Sequence, residues 1–336
     1  MISGSRILGV GSYVPGNVWT NDDLSKLMDT SDEWIRQRTG IEQRYWVDQD
    51  SNTGASDLAL EASLKALEAA KVKKEEIDLI IFATLSPDHD FPGSACFLQA
   101  KLGLPGIAAL DIRQQCSGFI YGMSIADAFI KSGMYKKILL VGAEVHSKAL
   151  DKTTRGREVS VLFGDGAGAA VIGAAEEGSK SKILSTHLYA DGKYAQELWI
   201  KAPGTGYGGD RTTHEIVDRG DHFPKMNGKT VFVHASKRMP EAVMTALNAN
   251  GYKPEDVDLF IFHQANLRIN EMVAKQLGVS EDKVFNTIQK FGNTTAATIP
   301  IGLDEAVKAG RLKPGMLVAS AAFGAGFTWA SALYRW

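Results

Sequence analysis

Residues 114–118, QQCSG, place one of the chain's two cysteines, Cys116, where the small-residue run GIAALDI gives way to SGFIYGMSIADAF, whose apolar residues recur at helical spacing. A thiol at the start of a helix points at unpaired backbone N–H groups and the positive end of the helix dipole, and both favour the nucleophilic thiolate. An inert buried thiol is the other reading of a free cysteine; the strand-to-helix position favours the reactive one. His263 closes the apolar run DLFIF and opens HQANLRIN, where an imidazole is either structural or placed for proton and hydrogen-bond chemistry. Asn293, in FGNTTAATIPIG, either caps the next helix or offers an amide N–H to a substrate carbonyl. FGAGFTWASALYRW, residues 323–336, reads as a glycine-rich turn between two strands, and backbone N–H groups of such a turn can hold an oxyanion. The other histidines (His89, His146, His187, His214, His222 and His234) are expected in loops or on polar faces, and Cys96 is expected to be packing filler inside a helix.

The elements that must position these residues are strands alternating with helices. GIAALDI, ILLVGAE and MLVASAA read as central strands, while DLALEASLKALEAAK, the segment after Cys116 and NLRINEMVAKQLG carry helical periodicity. Residues 66–82, ALEAAKVKKEEIDLIIF, and residues 246–262, ALNANGYKPEDVDLFIF, are identical at nine of seventeen positions at a constant offset of 180. Each copy is a helix end, a polar turn and a short apolar run, so the pattern predicts an internal duplication. In it Ala83 is the counterpart of His263, and the imidazole is therefore not required by the strand itself. The expected organisation is two similar α/β halves, 1–176 and 177–336, divided at the polar stretch AAEEGSKSK, with a site where strand C-termini of both halves meet. Residues 203–228, rich in glycine and charge, read as a long surface loop.

The totals exclude several classes. The 336 residues hold 37 Lys and Arg against 39 Asp and Glu, a net charge of −2, which gives nucleic-acid binding no compositional support. Two cysteines without a Cys/His cluster support neither a disulfide framework nor a zinc site. No apolar window is long enough for a membrane span and the N-terminus carries no signal-peptide core, so a soluble cytoplasmic protein is expected. Residues 164–169, GDGAGA, formally fit a dinucleotide fingerprint, but the AAVIG that follows reads as a strand where that motif needs a helix.

Together, Cys116 in QQCSGF, His263 in HQANLRI, Asn293 in GNTTAATIP and the closing GAGFTW resemble the thiolase-like condensing enzymes, and within them β-ketoacyl-acyl carrier protein synthase III. TNDDLSKLMDTSDEWIRQRTGIEQR and LFGDGAGAAVIG extend the resemblance nearly end to end. It implies the duplicated αβαβα thiolase-like fold and a homodimer. It also implies an acyltransferase that condenses an acyl-CoA with malonyl-acyl carrier protein through an acyl-cysteine, initiating fatty acid biosynthesis, with the two thioesters as substrates and no cofactor or metal. Catalysis would fall to Cys116, His263 and Asn293, with backbone oxyanion donors at Cys116 and Ala325. CoA would bind at Thr30, Trp34, Arg38 and Arg155; Trp34 and Arg38 lie i,i+4 in SDEWIRQR, on one face of a helix whose other reading is a solvated amphipathic surface. Phe91 would close the acyl tunnel, often across the dimer, and Arg268 and Lys275 would dock the carrier protein. The sequence departs from the family pattern at Gln114 and Gln115, at Ala325, at Ala330, in the longer 203–228 segment and at Val233, where a docking lysine is usual and Lys229 or Lys237 would substitute. These departures bear on the acyl-chain preference and on docking. Relatives in polyketide, quinolone or long-chain ketone pathways, and a non-catalytic partner subunit, are the alternatives. A thiolase proper would need a second cysteine in the C-terminal half, and two-histidine synthases would carry His at position 293.

Overall fold

The structure, a computed structural model, describes residues 4–336. Two sheets form its centre. The first has the order β1-β5-β4-β2-β3, where β1 is Ser5–Tyr13, β2 Leu79–Ala83, β3 Ala108–Ile112, β4 Lys137–Glu144 and β5 Gly166–Ala174. The second has the order β7-β8-β9-β6, where β6 is Lys182–Ala190, β7 Leu259–Phe262, β8 Leu317–Gly324 and β9 Thr328–Arg335. β2 pairs in parallel with β3 and β4, β7 pairs in parallel with β8, and β1 and β6 close their sheets antiparallel. Strands buried on both faces read as unbroken apolar runs, and every residue of β2 and β7 is buried.

The duplication is visible in this order. Reading β3-β2-β4-β5-β1 against β7-β8-β9-β6, only the counterpart of β3 is missing, and a single parallel bridge between Phe260 and Val284 stands in its place. Residues 284–288, VFNTI, whose apolar and β-branched residues suit a strand, form only that bridge. β3 itself lies at the edge of its sheet rather than at the centre, since it pairs with β2 alone; its short apolar run does not distinguish the two positions.

The helices that frame the sheets and the site are α1 Asp32–Thr39, α2 Ala55–Ala70, α3 Ser94–Leu102, α4 Gly118–Lys131, α5 Gly228–Ala249, α6 Leu267–Leu277 and α7 Thr298–Lys308. α4 and α7 lie between the two sheets, and their apolar faces join strand residues of both halves in one core: Phe119, Met123 and Ile130 from α4, Ile299 and Leu303 from α7, with Ile81, Leu140, Ile261 and Val318. Both helices begin at the offset of 180 found in the sequence, α4 at Gly118 and α7 at Thr298, and both start beside the ends of the parallel strands. That junction holds the candidate site.

Residues 203–228 contain more structure than the glycine content suggested. Thr213 caps a short helix, His214–Arg219, and Pro224–Met226 pairs with Leu198–Ile200. The buried Asp221 carboxylate binds Lys201 at 3.1 Å and Lys225 at 2.6 Å. Cys96 is exposed on α3 rather than packed inside it. Among the described residues no helix is long and apolar enough to cross a membrane.

Candidate active site

Cys116 sits in a single tight turn, Gln115–Ser117, between β3 and α4. Gln115, immediately before it, holds a left-handed backbone with φ of 43°, a strain of about 1–3 kcal/mol in a residue other than glycine. The turn is held by Ser117 N–H donating to Gln114 O at 3.0 Å and by the Ser117 hydroxyl donating to Thr328 O at 3.1 Å. The backbone N–H groups of Cys116 and Ala325 both reach the sulfur. Gly324 makes this approach possible, because a Cβ there would stand 2.6 Å from Cys116 Cβ and 2.9 Å from Sγ.

Burial pushes the Cys116 thiol up to about 12, and the buried Glu144 carboxylate adds to the push, while the two N–H groups pull the other way. The resting group is thus a thiol. The strand-to-helix position favours the thiolate, and desolvation outweighs it. Glu144 is itself raised to about 7 by burial, although it accepts from the hydroxyls of Ser86 at 2.6 Å and Thr84 at 3.0 Å.

His263 continues the ladder beyond β7, its N–H donating to Ala321 O at 2.9 Å. Its Nδ1 lies 2.7 Å from Thr298 Oγ1, and its Nε2 is enclosed without a partner among the described residues. Burial lowers its pKa to about 3, so the ring is neutral at any working pH. Gln264 fixes the next segment by accepting the N–H groups of Thr287 at 2.9 Å and Ile288 at 3.1 Å.

Asn293 is locked by its backbone, donating to Leu162 O at 2.8 Å and accepting from Gly164 N–H at 3.1 Å. Its Oδ1 accepts the Thr295 N–H at 2.8 Å. That bond satisfies the oxygen within the loop and leaves the Nδ2 amine for the cavity. Asn293 therefore turns a donor to the site, and its cap-like bond is what orients that donor.

Cys116, His263 and Asn293 line one cavity of about 400 Å³, whose wall continues through Phe323 and Phe232 to Trp34, Arg38 and Arg268. Ser31 caps α1 by accepting Trp34 N–H at 3.1 Å. The Trp34 ring carries two guanidinium groups, Arg38 at 4.3 Å and Arg157 at 4.8 Å from its centroid. Arg155 is not one of them. It donates to Asp151 at 2.6 Å and lies over Phe223 of the 203–228 segment. The sequence TRGR offers both arginines, and only the turn beginning at Thr154 decides which faces Trp34. Thr30 stands just before α1 with its hydroxyl oxygen enclosed and unpartnered among the described residues. Phe91 is 82% exposed and is not part of the cavity wall. Arg268 and Lys275 are both exposed on α6, with Lys229 and Lys237 exposed on α5.

His146, expected in a loop or on a polar face, is instead buried. Its ring packs 4.5 Å from that of Phe163 and its Nε2 meets the Thr295 hydroxyl, behind the loop that carries Asn293. Its position two residues past the end of β4 was the available signal, since side chains at strand C-termini gather at the site of such folds. Burial lowers its pKa to about 3 from 6.5. The unfolded chain takes up a proton there below pH 6.5 and the folded one does not, so stability is lost as pH falls from 6.5 towards 3. Each such histidine contributes a slope of about 1.4 kcal/mol per pH unit. In urea titrations between about pH 6 and about pH 4.5, His146→Gln should gain on the wild type by about that slope; parallel stability curves would contradict the assignment.

This fold, with a cysteine at a helix start facing a histidine and an asparagine from the duplicated half, defines a thiolase-like condensing enzyme. Residues 110–192 match the family model of 3-oxoacyl-[acyl-carrier-protein (ACP)] synthase III, and residues 247–336 match the model of its C-terminal part. The chain is 49% identical over 333 residues to the β-ketoacyl-[acyl-carrier-protein] synthase III of Xanthomonas euvesicatoria, covering 99% of this chain and 98% of that one. It is 48% identical over 332 residues to the enzyme of the same name from Caldanaerobacter subterraneus, covering 98% of this chain and 97% of the other. The crystal structure of 3-oxoacyl-[acyl-carrier-protein] synthase III from Aquifex aeolicus superposes with a TM-score of 0.89 at 44% identity, over 99% of this chain and 100% of that one. The chain belongs to the β-ketoacyl-[acyl-carrier-protein] synthase III family.

Proposed function

We propose that the chain initiates fatty acid biosynthesis by condensing a short acyl-CoA primer with malonyl-acyl carrier protein, through an acyl-Cys116 intermediate and without cofactor or metal. The observation that carries this reading is the single cavity lined by Cys116, His263 and Asn293, with the N–H groups of Cys116 and Ala325 at the sulfur. The non-catalytic alternative finds no support in a site so assembled.

In the first half-reaction the Cys116 thiol gives up its proton as the sulfur attacks the acyl-CoA carbonyl. The Cys116 and Ala325 N–H groups hold the tetrahedral oxyanion, the carbon–sulfur bond to CoA breaks, and the proton given up by the Cys116 thiol ends on the departing CoA thiolate. In the second, malonyl-acyl carrier protein loses carbon dioxide. The enolate left behind places its oxygen between His263 Nε2 and Asn293 Nδ2, its carbon attacks the acyl group, and Cys116 sulfur leaves and is reprotonated. Neutral His263 suits this role, since a carboxylate substrate then meets a donor that does not hold it as an ion pair.

CoA enters past Trp34, where the indole ring and the Arg38 and Arg157 guanidinium groups over it offer planes on which an adenine stacks. In this reading Arg157 takes the place first given to Arg155, and Thr30 contributes its free hydroxyl. Trp34→Ala or Arg157→Ala should raise KM for acyl-CoA about tenfold, the order of one desolvated cation–π contact, with KM for malonyl-acyl carrier protein nearly unchanged. Arg155→Ala should leave both near wild type. An Arg155 effect larger than that of Arg157 would reverse the choice.

The carrier protein docks on the exposed face around Arg268 and Lys275, with Lys229 and Lys237 on the neighbouring helix. The enzyme acts in the cytoplasm as a homodimer. The unpaired edge of β3 and the exposed Phe91 favour that assembly, in which Phe91 reaches the partner's acyl tunnel and shortens it. Each methylene excluded forgoes about 0.8 kcal/mol of burial, so the ring decides the primer. The test is acylation by a series from acetyl-CoA to dodecanoyl-CoA, read by intact mass. Labelling chiefly by acetyl- to butyryl-CoA supports a primer-condensing enzyme; labelling chiefly by octanoyl-CoA or longer would overturn it.

A further inference from the structure

The mechanism asks His263 for a hydrogen-bond donor at Nε2, yet a neutral imidazole carries one proton and can place it on either nitrogen. What fixes the choice is the partner of Nδ1, and in this protein that partner is Thr298 Oγ1 at 2.7 Å. Thr298 is buried at the start of α7. Its hydroxyl lies within bonding distance of two acceptors, His263 Nδ1 and, at 2.9 Å, Thr295 O. It has one proton to give.

Thr295 O does not need that proton, because it already accepts the backbone N–H of Thr298. Nδ1 has no other partner among the described residues. We infer that the Thr298 hydroxyl donates to His263 Nδ1 and so holds the ring as the Nε2–H tautomer, which makes Thr298 a positioning residue for the donor that faces the thioester oxygen.

The duplication supplies an independent argument. At the offset of 180, Thr298 corresponds to Gly118 and His263 to Ala83, and these counterparts also touch: a Cβ on Gly118 would stand 2.9 Å from Ala83 Cβ. The same helix start meets the same strand end in both halves. One half fills the contact with glycine and alanine, so the fold does not call for a hydroxyl or an imidazole there. The half that carries the histidine also carries the threonine. With Asn293 Oδ1 occupied by Thr295 N–H, the loop 293–298 then sets both donors of the site, one through a main-chain amide and one through a side-chain hydroxyl.

This inference rests on the condensing reaction proposed above only for its consequence, so its test has two arms. In protein labelled with ¹⁵N at histidine, His263 should show a pyridine-like Nδ1 and a pyrrole-like Nε2; a pyridine-like Nε2 in the wild type overturns the assignment whatever the enzyme catalyses. In the second arm, Thr298→Val should lower malonyl-acyl carrier protein decarboxylation about 10–100-fold, as loss of an orienting partner does, while acylation of Cys116 by acetyl-CoA keeps its rate. Thr298→Ser should restore decarboxylation and the Nε2–H signature. A wild-type rate in Thr298→Val, or failure of Thr298→Ser to restore it, also overturns the proposal. If Thr298→Val does not fold, the wild-type spectrum and Thr298→Ser decide. A wild type that leaves malonyl-acyl carrier protein intact would sink the proposed function, and the ¹⁵N spectrum would still decide the tautomer.

Discussion

Asn293→Ala is expected to lower condensation by about 10²–10³ and to leave acylation of Cys116 by acyl-CoA nearly unchanged. The magnitude is that of one oxyanion donor removed from a buried site. The separation of the two half-reactions follows from geometry. Asn293 directs Nδ2 into the cavity because its Oδ1 is bound by Thr295 N–H, whereas the first oxyanion is held by the N–H groups that meet the Cys116 sulfur. The backbone of residue 293 is fixed on both sides by Leu162 and Gly164, so alanine leaves the main chain anchored while removing the Nδ2 donor and, with Oδ1, the acceptor of Thr295 N–H. Single-turnover kinetics read by intact mass distinguish the steps. A variant that cannot be acylated would show that Asn293 serves the first half-reaction.

Gly324→Ala should sharply slow the acylation of Cys116. The added Cβ would lie 2.6 Å from Cys116 Cβ and 3.1 Å from its backbone nitrogen, and neither can yield. β8 is buried along its whole length, and Cys116 stands in a turn already strained at Gln115. The sulfur must shift relative to Ala325 N–H, and a displacement of about 1 Å costs on the order of 10² in rate. The readout is the second-order rate of Cys116 acylation. Overpacking adds about 1–3 kcal/mol of destabilisation, so thermal denaturation is measured alongside. A Gly324→Ala protein acylated at the wild-type rate would show that the close approach is not part of the site.

The residues proposed to carry the chemistry stand out in the sequence because each breaks a pattern. Cys116 interrupts a strand-to-helix junction, and His263 stands where the duplicated strand has Ala83. The duplication itself announced the fold, since helix, polar turn and apolar run repeat at one offset and the two sheets share one strand order apart from β3. Pairing was harder to read. β3 lies at a sheet edge, and the counterpart near Val284 shrinks to one bridge; an apolar run of five residues looks the same in either place. Choices between near neighbours were also hidden. Arg155 and Arg157 differ by two positions, and the backbone after Thr154 sends the second over Trp34. His146 and Thr298 act on atoms far away in sequence, Thr295 and His263, so no local spacing marks them. The thiol's resting state belongs to the same group, because desolvation depends on everything packed around the sulfur.

The central claim is that one cysteine carries the acyl group between two substrates. Its most direct test is a pulse and chase on the purified protein: acetyl-CoA first, removal of free thioester, then malonyl-acyl carrier protein, with peptide mass spectrometry at each stage. The account predicts an acetyl group on the Cys116 peptide after the pulse. After the chase that group should be lost and an equal amount of acetoacetyl-acyl carrier protein should appear. Product formed without prior label on Cys116, or label that persists while product accumulates, would contradict it.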